Sequence, residues 1–243
     1  MTRSVTRMTI DDAEHFTPEQ REAIIASYPL HERDARVKGL PALGSGRIFP
    51  IDEDRLTVEP FLIPNSWAQI GGIDFGYDHP TAAIKLAHDR DTDVVYVTAC
   101  YKVREQPPIV HASTLKAWGK LLPWAWPHDA LKRDSQSGDT LKADYEVHGL
   151  YMLSERAQFE DGKSGVEAGL MIMLERMMSG RLKVFRNLND WLDEFRIYHR
   201  NKGLVVKEYD DLMDATRYAI MSIRYAQSTV EREYDKRDLS WVV

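Results

Sequence analysis

Three aspartates stand where a carboxylate can hold a divalent cation. Asp74 closes the apolar run Gln69-Ile70-Gly71-Gly72-Ile73 and is followed two residues later by Gly76, which lets the chain turn sharply beside a ligand. Asp129 follows the run Trp124-Ala125-Trp126-Pro127, and Asp214 falls in the first turn of a helix read from Asp211 onward. A carboxylate at a strand's end is rigidly placed, and one in a first helical turn is favoured by the positive end of the helix dipole. Phosphodiester hydrolysis calls for such a set: water must reach an anionic phosphorus, and a leaving oxyanion must be neutralised. Two divalent ions about 3.5–4 Å apart do both, and Mg²⁺ is satisfied by a few carboxylate oxygens and retained waters. Each residue also has an ordinary reading. Asp74 can be a turn former, Asp129 an N-cap or turn residue, and Asp211 and Asp214 acids that complement a helix dipole. The order strand end, strand end, final helix raises the set above its members.

Other residues compete for a role. Ala157-Gln158-Phe159-Glu160-Asp161-Gly162-Lys163-Ser164 nearly matches a phosphate-binding loop between a strand and a helix. Against nucleotide binding, its first glycine is Ala, and Glu160 and Asp161 put negative charge where a triphosphate would sit. Lys163 then becomes a candidate contact for backbone phosphate, as do Lys132, Arg133 and Lys142 near Asp129, with solvated charge as the alternative. Trp118, Trp124, Trp126 and Trp191 each sit in an apolar pattern and read as core more readily than as stacking platforms. Met171, Met173, Met177 and Met178 read as core or a soft interface. His79 and His128 flank carboxylates but are ordinary polar loop residues by default. Glu194 is a candidate partner of the acidic residues.

These residues need elements to position them. Thr17-Pro18-Glu19 starts a helix that runs to about Ser27, and a second short helix is expected around 31–38. Glycines and prolines punctuate 39–64, with a short extended piece at 47–51. Gln69–Gly76, Ala82–His88 and Val94–Val103 read as three strands of an antiparallel meander. A helix over Pro107–Lys120, a buried strand over Leu121–Trp126, a helix over Thr140–His148 and a strand over Leu150–Ser154 follow. The amphipathic helix Ser164–Ser179 ends at Gly180. Leu182–Phe185 and Gly203–Val206 are strands, Trp191–His199 a helix, and Asp211–Tyr225 the last helix. Strands first, then alternating helices and strands, predict an α/β fold with a sheet of mixed direction.

Composition narrows the classes. The chain of 243 residues is long enough for a sizeable core and has an ordinary charged fraction. No apolar run approaches a membrane span, so no membrane partner is expected. Cys100 is the only cysteine, which excludes an internal disulfide framework and a cysteine-rich zinc site and suits a reducing cytoplasm. The net charge of −6 argues against strong DNA binding by this domain alone, although an acidic nuclease site contributes to that balance.

The set Gly72-Ile73-Asp74-Phe75-Gly76-Tyr77-Asp78-His79-Pro80, Trp126-Pro127-His128-Asp129 and Asp210-Asp211-Leu212-Met213-Asp214-Ala215-Thr216-Arg217-Tyr218-Ala219 resembles the nuclease domain of phage terminase large subunits. The nearest group is the P22-like headful-packaging type, whose late segments Gly180–Phe185 and Trp191–Tyr198 also resemble. The resemblance covers roughly 68–226. It implies an RNase H-like fold, a mixed sheet flanked by helices, with Asp74, Asp129 and Asp214 matching the family's ligand positions for two Mg²⁺ or Mn²⁺ ions. Asp211 matches a position that also reaches the metal in some relatives. The implied activity is an endodeoxyribonuclease that cuts concatemeric viral DNA at the initiation and termination of packaging. Its implied partners are double-stranded DNA, the portal protein, the small terminase subunit and an ATPase domain normally in the same chain, in the host cytoplasm. Residues 1–67 would then be a linker region after an absent ATPase, 68–226 the nuclease, and 227–243 a charged tail facing the portal, in a fragment or a truncated prophage gene. A non-catalytic motor–portal docking module and another RNase H-like nuclease, such as a junction resolvase, are the alternatives.

Overall fold

The computed structural model describes residues 16–27, 46–131 and 140–228. Its first helix, α1 (Pro18–Ser27), is closed by a reciprocal cap: Thr17 Oγ1 accepts from the Gln20 amide and Gln20 Oε1 accepts from the Thr17 amide. The helix expected around 31–38 lies outside the described residues.

One mixed sheet organises the rest. β2 (Ala68–Asp74), β3 (Thr81–Asp89) and β4 (Val94–Val103) form the expected antiparallel meander. β5 (Pro123–Ala125) adds parallel to β2, and β6 (Tyr151–Met152) parallel to β5. β7 (Leu182–Phe185) lies parallel to β4, and β1 (Thr57–Val58) parallel to β7. The order is β1-β7-β4-β3-β2-β5-β6, with β10 (Gln227–Ser228) antiparallel to the start of β2. A meander continued by two parallel strands beside its first member is the RNase H-like arrangement that the resemblance implied. A small hairpin, β8 (Arg200–Asn201) and β9 (Leu204–Val205), stands apart.

Among the described residues, six further helices flank the sheet: α2 (Glu53–Leu56), α3 (Pro108–Leu115), α4 (Leu141–Val147), α5 (Val166–Met178), α6 (Asn189–Ile197) and α7 (Asp211–Met221). α3 is shorter than its sequence pattern because the chain tightens to a 3₁₀ turn at Lys116–Trp118 before Gly119. α7 likewise passes into a 3₁₀ turn at Ile223–Tyr225. The four tryptophans expected in the core are there: Trp124, Trp126 and Trp191 are buried, and Trp118 stacks on Trp124. The methionine helix divides, with Met173 and Met177 buried and Met171 and Met178 exposed.

Part of the stretch read as linker is core. Ile48, Phe49 and Leu56 are buried, Phe49 stacks on Phe195 at 6.3 Å, and Arg196 forks onto Glu53 at 2.7 and 2.8 Å. The partners of this segment are far along the chain, which is why its glycines and prolines alone suggest a connector. At the other end, Gln227 and Ser228 pair with the sheet, and the remainder of the expected tail lies outside the described residues. No helix among the described residues is long and apolar enough to cross a membrane.

The approach of α7 to β2 positions the site. A Cβ on Gly72 would stand 2.1 Å from the Ala215 carbonyl oxygen, and one on Gly71 would stand 2.4 Å from the Trp124 ring. Successive residues of a strand face opposite sides, so two glycines admit a helix backbone on one face and an indole on the other. Gly72→Ala must push α7 away from the strand. It is expected to lower stability by about 1–3 kcal/mol in urea unfolding; an unchanged midpoint would show that the helix is not seated there.

Candidate active site

Asp74 is the last residue of β2, in the middle of the sheet, and Asp211 and Asp214 lie one turn apart at the start of α7. Residues three apart on a helix share a face, and this face meets the end of β2. Asp74, Asp211 and Asp214, with Asp210, line one cavity of about 420 Å³. Beside them, Gly76 sits in the β2–β3 turn, its carbonyl accepting from the Thr81 hydroxyl at 2.8 Å. That turn brings His79 Nδ1 to 4.0 Å from Asp211 Oδ1.

Four aspartates in one recess, with Glu208 also on its wall, repel one another. Burial, reinforced by Asp214, Asp211 and Asp210, pushes Asp74 well above the usual carboxylate range, with Lys207 opposing. Burial also raises Asp210. Cations from three directions offset the charge. Lys207 Nζ bridges Asp210 Oδ2 at 3.0 Å and Asp214 Oδ2 at 2.8 Å. Arg217, buried one turn further along α7, grips both oxygens of Asp214 at 2.9 and 3.3 Å. Lys102, from β4, reaches Asp211 Oδ2 at 3.2 Å and pairs with Glu194. Burial works against the charge of Lys207, but Asp214 and Asp210 hold its pKa above the ordinary value.

Glu194, on α6, connects this cluster to the fold. Asp210 caps α7 without a side-chain hydrogen bond. The buried Glu194 fills that role, its Oε2 accepting from the Leu212 amide at 2.7 Å and the Met213 amide at 3.2 Å. Two orphan donors of the first turn are thereby satisfied from a neighbouring helix. Burial pushes Glu194 up to about 7 despite Lys102.

The remaining expected residues fall elsewhere. Asp129 lies in the 3₁₀ turn His128–Leu131 after β5. Because β5 runs parallel to β2, with Gly72 opposite Ala125, Asp129 and Asp74 leave the same end of adjacent strands. Yet Asp129 is exposed and does not line the cavity; just before its turn, the Trp126 indole donates to the Leu153 carbonyl at 2.7 Å. Among the described residues, no three acidic, histidine or cysteine side chains stand together in a metal-chelating arrangement. Lys142 pairs with Glu146 at 2.8 Å and lies 5.7 Å over the Trp126 ring, and the exposed Lys163 pairs with Asp161 at 2.9 Å. The phosphate-loop lookalike thus neutralises its own lysine. Lys132 and Arg133 lie outside the described residues.

Lys102, Arg104, Lys207 and Asp210 were not singled out by sequence. A signal existed for two of them: Lys207 precedes Asp210 and Asp214 by three and seven residues, close to helical spacing at a helix start. Lys102 and Arg104 end a strand whose partners become visible only in the folded sheet.

Residues 71–223 match the family model described as Terminase RNaseH-like domain, and residues 1–55 match that described as Terminase large subunit, T4likevirus-type, N-terminal. The chain is 44% identical over 226 residues to the terminase large subunit of Salmonella phage P22, covering 93% of this chain and 45% of that protein. It spans about half the length of the curated relatives it matches. The solved nuclease domain of the P22 large terminase superposes with a TM-score of 0.72 at 40% identity, over 76% of this chain and 96% of that domain. The large terminase nuclease of thermophilic phage G20c, solved with bound cobalt, gives 0.52 at 18% identity, over 74% of this chain and 98% of that one, a likeness of fold alone.

Two outcomes follow from the charge balance. A carboxyl whose folded pKa is raised contributes stability that is complete below its unfolded pKa and is lost as pH rises through the folded value. In EDTA, Asp74→Asn should therefore melt above wild type by about 2 °C or more, roughly what 1 kcal/mol gives in a chain of this size, with a margin that widens from pH 5 to pH 8. A margin independent of pH would show that Asp74 ionises as an ordinary carboxylate. Glu194→Ala should cost about 2–3 kcal/mol by leaving Lys102 and two helix amides short of a partner. Glu194→Gln, which keeps an acceptor, should cost less in the same denaturation assay.

Proposed function

This chain belongs to the terminase RNase H-like domain family, and from that premise we propose that it is a metal-dependent endonuclease that cuts double-stranded DNA during phage genome packaging. The carrying observation is the convergence of Asp74, Asp211 and Asp214 on one cavity in which Asp74 resists ionisation. Such a recess stabilises a divalent cation and is itself relieved by one. The donors are all carboxylate oxygens, hard ligands suited to Mg²⁺ or Mn²⁺.

Asp74, Asp211 and Asp214 would hold the metal, and Asp129, in the turn that follows the adjacent parallel strand and outside the cavity, would have to swing in to serve as the further ligand of a two-ion site. Divalent ions there supply Lewis acidity, easing deprotonation of the attacking water and neutralising the leaving oxygen. The protein's own groups prepare that chemistry. Arg217 fixes the rotamer of Asp214 by holding both of its oxygens, and Lys102 fixes Asp211. Lys207 offsets the charge of Asp210 and Asp214.

On this reading the substrate is concatemeric viral DNA, cut at initiation and termination of packaging in the host cytoplasm. The partners are the portal protein, the small terminase subunit and an ATPase domain of the same polypeptide. Residues 68–226 act as the nuclease, 1–67 as the region that joins it to the motor and 227–243 as a tail toward the portal. Lys132 and Arg133 are the DNA contacts best placed in sequence; Lys142 and Lys163 would first have to leave their carboxylates.

Plasmid nicking tests the proposal. Wild type should cleave with Mn²⁺ or Mg²⁺ and stop in EDTA, and Asp74→Ala and Asp214→Ala should lose at least about 100-fold in rate, the upper range seen for residues that merely support metal ligands. An Asp74→Ala protein that still nicks would defeat the assignment. Wild type without metal-dependent cleavage would favour the docking-module reading, and strong preference for branched substrates the resolvase reading.

A further inference from the structure

The carboxylate cavity does not end at the carboxylates. A second, open hollow of about 290 Å³ adjoins it, and the two share Pro80, Arg104 and Tyr209 as walls. Lys102, Val103 and Asp190 line the rest of the hollow. The two hollows form a single groove, acidic at one end and walled by a cation and an aromatic ring at the junction.

Arg104 follows β4 directly and is exposed. Arg181, Arg186, Arg196 and Arg200 are each matched to a carboxylate within 3.6 Å, and Arg55 and Arg156, which like Arg104 carry no side-chain ion pair among the described residues, line neither hollow. Among the described residues, Arg104 has no ion pair or hydrogen bond, although Asp211 and Asp190 line the same groove. Lys102 is already committed to Glu194 and Asp211. In a chain of net charge −6, an unmatched guanidinium beside an acidic recess is placed to receive an anion from outside, and its planar fork suits phosphate oxygens.

Tyr209 supplies the second observation. Its backbone has φ +56°, a left-handed conformation that costs a bulky residue on the order of 1–3 kcal/mol. The residue is 58% exposed. The strain secures no hydrogen bond for the hydroxyl among the described residues, and the one ring contact with a cation is Lys102 Nζ at 6.0 Å. A strained, outward aromatic ring at the mouth of a reactive cavity offers a face for a base.

We propose that this adjoining hollow is the subsite for the nucleotide next to the cleaved phosphodiester, with Arg104 binding its phosphate and Tyr209 stacking on its base, which leaves the duplex stack to reach the ring. The inference rests on the nuclease reading and deepens it: the acidic end works on the bond, and the Arg104–Tyr209 junction sets the register of the strand across it. Both are positioning residues of the substrate, at the edge of the cavity that the carboxylates line.

Steady-state cleavage of a duplex oligonucleotide with Mn²⁺, paired with fluorescence anisotropy of the same labelled duplex in EDTA, separates the possibilities. Arg104→Ala should raise KM more than it lowers kcat, and should reduce the slope of log Kd against log salt by about one unit, the signature of one lost phosphate contact. Tyr209→Ala should raise KM by about fivefold or more, while Tyr209→Trp should restore it. Tyr209→Asn, a residue that tolerates the left-handed conformation, should share the KM defect yet melt at or above wild type, which excludes misfolding as the cause. If wild type cleaves and all these variants keep its KM and salt slope, the subsite is overturned and the nuclease reading stands. If wild type does not cleave at all, the nuclease reading falls and the subsite falls with it.

Discussion

A backbone-to-backbone contact governs this molecule: the carbonyl of Ala215, in the second turn of α7, rests against the Cα of Gly72 in β2. Two elements far apart in sequence meet there with no side chain between them. Gly72 is two residues from Asp74, and Ala215 is one residue from Asp214, so the contact fixes the separation of the acidic groups almost directly. Any bulkier residue at position 72 would widen that separation by the thickness of a side chain. The opposite face of the same strand is equally committed, because Trp124 fills the space that a side chain at Gly71 would need. The strand thus has little room to move toward or away from the helix.

Charge works against this closeness. Burying several carboxylates together costs free energy that each would not lose in water, and Asp74 records the conflict in its reluctance to ionise. Lys207, Arg217 and Lys102 offset it, but buried ion pairs return only part of the desolvation they incur. What they confer is placement. Arg217 restrains both oxygens of Asp214, Glu194 and Lys102 tie the start of α7 to α6 and β4, and the Trp191 indole donates to Thr216 at 2.9 Å. Apolar packing of the sheet supplies the stability that this arrangement draws on.

How much of this was legible in the sequence depended on whether the cause was local. β4 and β7 occupy the intervals that their apolar runs announce, and Asp74, Asp211 and Asp214 gather as strand-end and helix-start acids should. Cap chemistry marked Thr17 as a helix start, and it caps; Thr140, where a helix was expected to begin, caps as well. Non-local causes were invisible. The segment 46–58 reads as a connector because nothing in its own residues reveals β7, Phe195 or Arg196 as partners. Glu194 has the charge of a surface helix residue, and only the unsatisfied amides of α7 explain its burial. Asp129 shows how far chain order carries: adjacent parallel strands bring it to the same end of the sheet as Asp74, while the 3₁₀ turn that holds it leaves it outside the cavity.

The two sides of the cavity also differ in how they are held. Asp74 is fixed by the hydrogen-bond ladder of a central strand, paired with β3 over its whole length and with β5 at Gly71 and Gly72. The opposing side is reached through the four residues Lys207, Glu208, Tyr209 and Asp210, which lead into α7 without belonging to it. That short run carries the lysine that neutralises Asp210 and Asp214, the strained tyrosine between the two hollows, and the residue that caps the helix. A change in the charge that Lys207 balances therefore acts on the same backbone that aims Tyr209. Neutralisation of the acids and the shape of the adjoining groove are properties of one segment, and neither can be altered without the other.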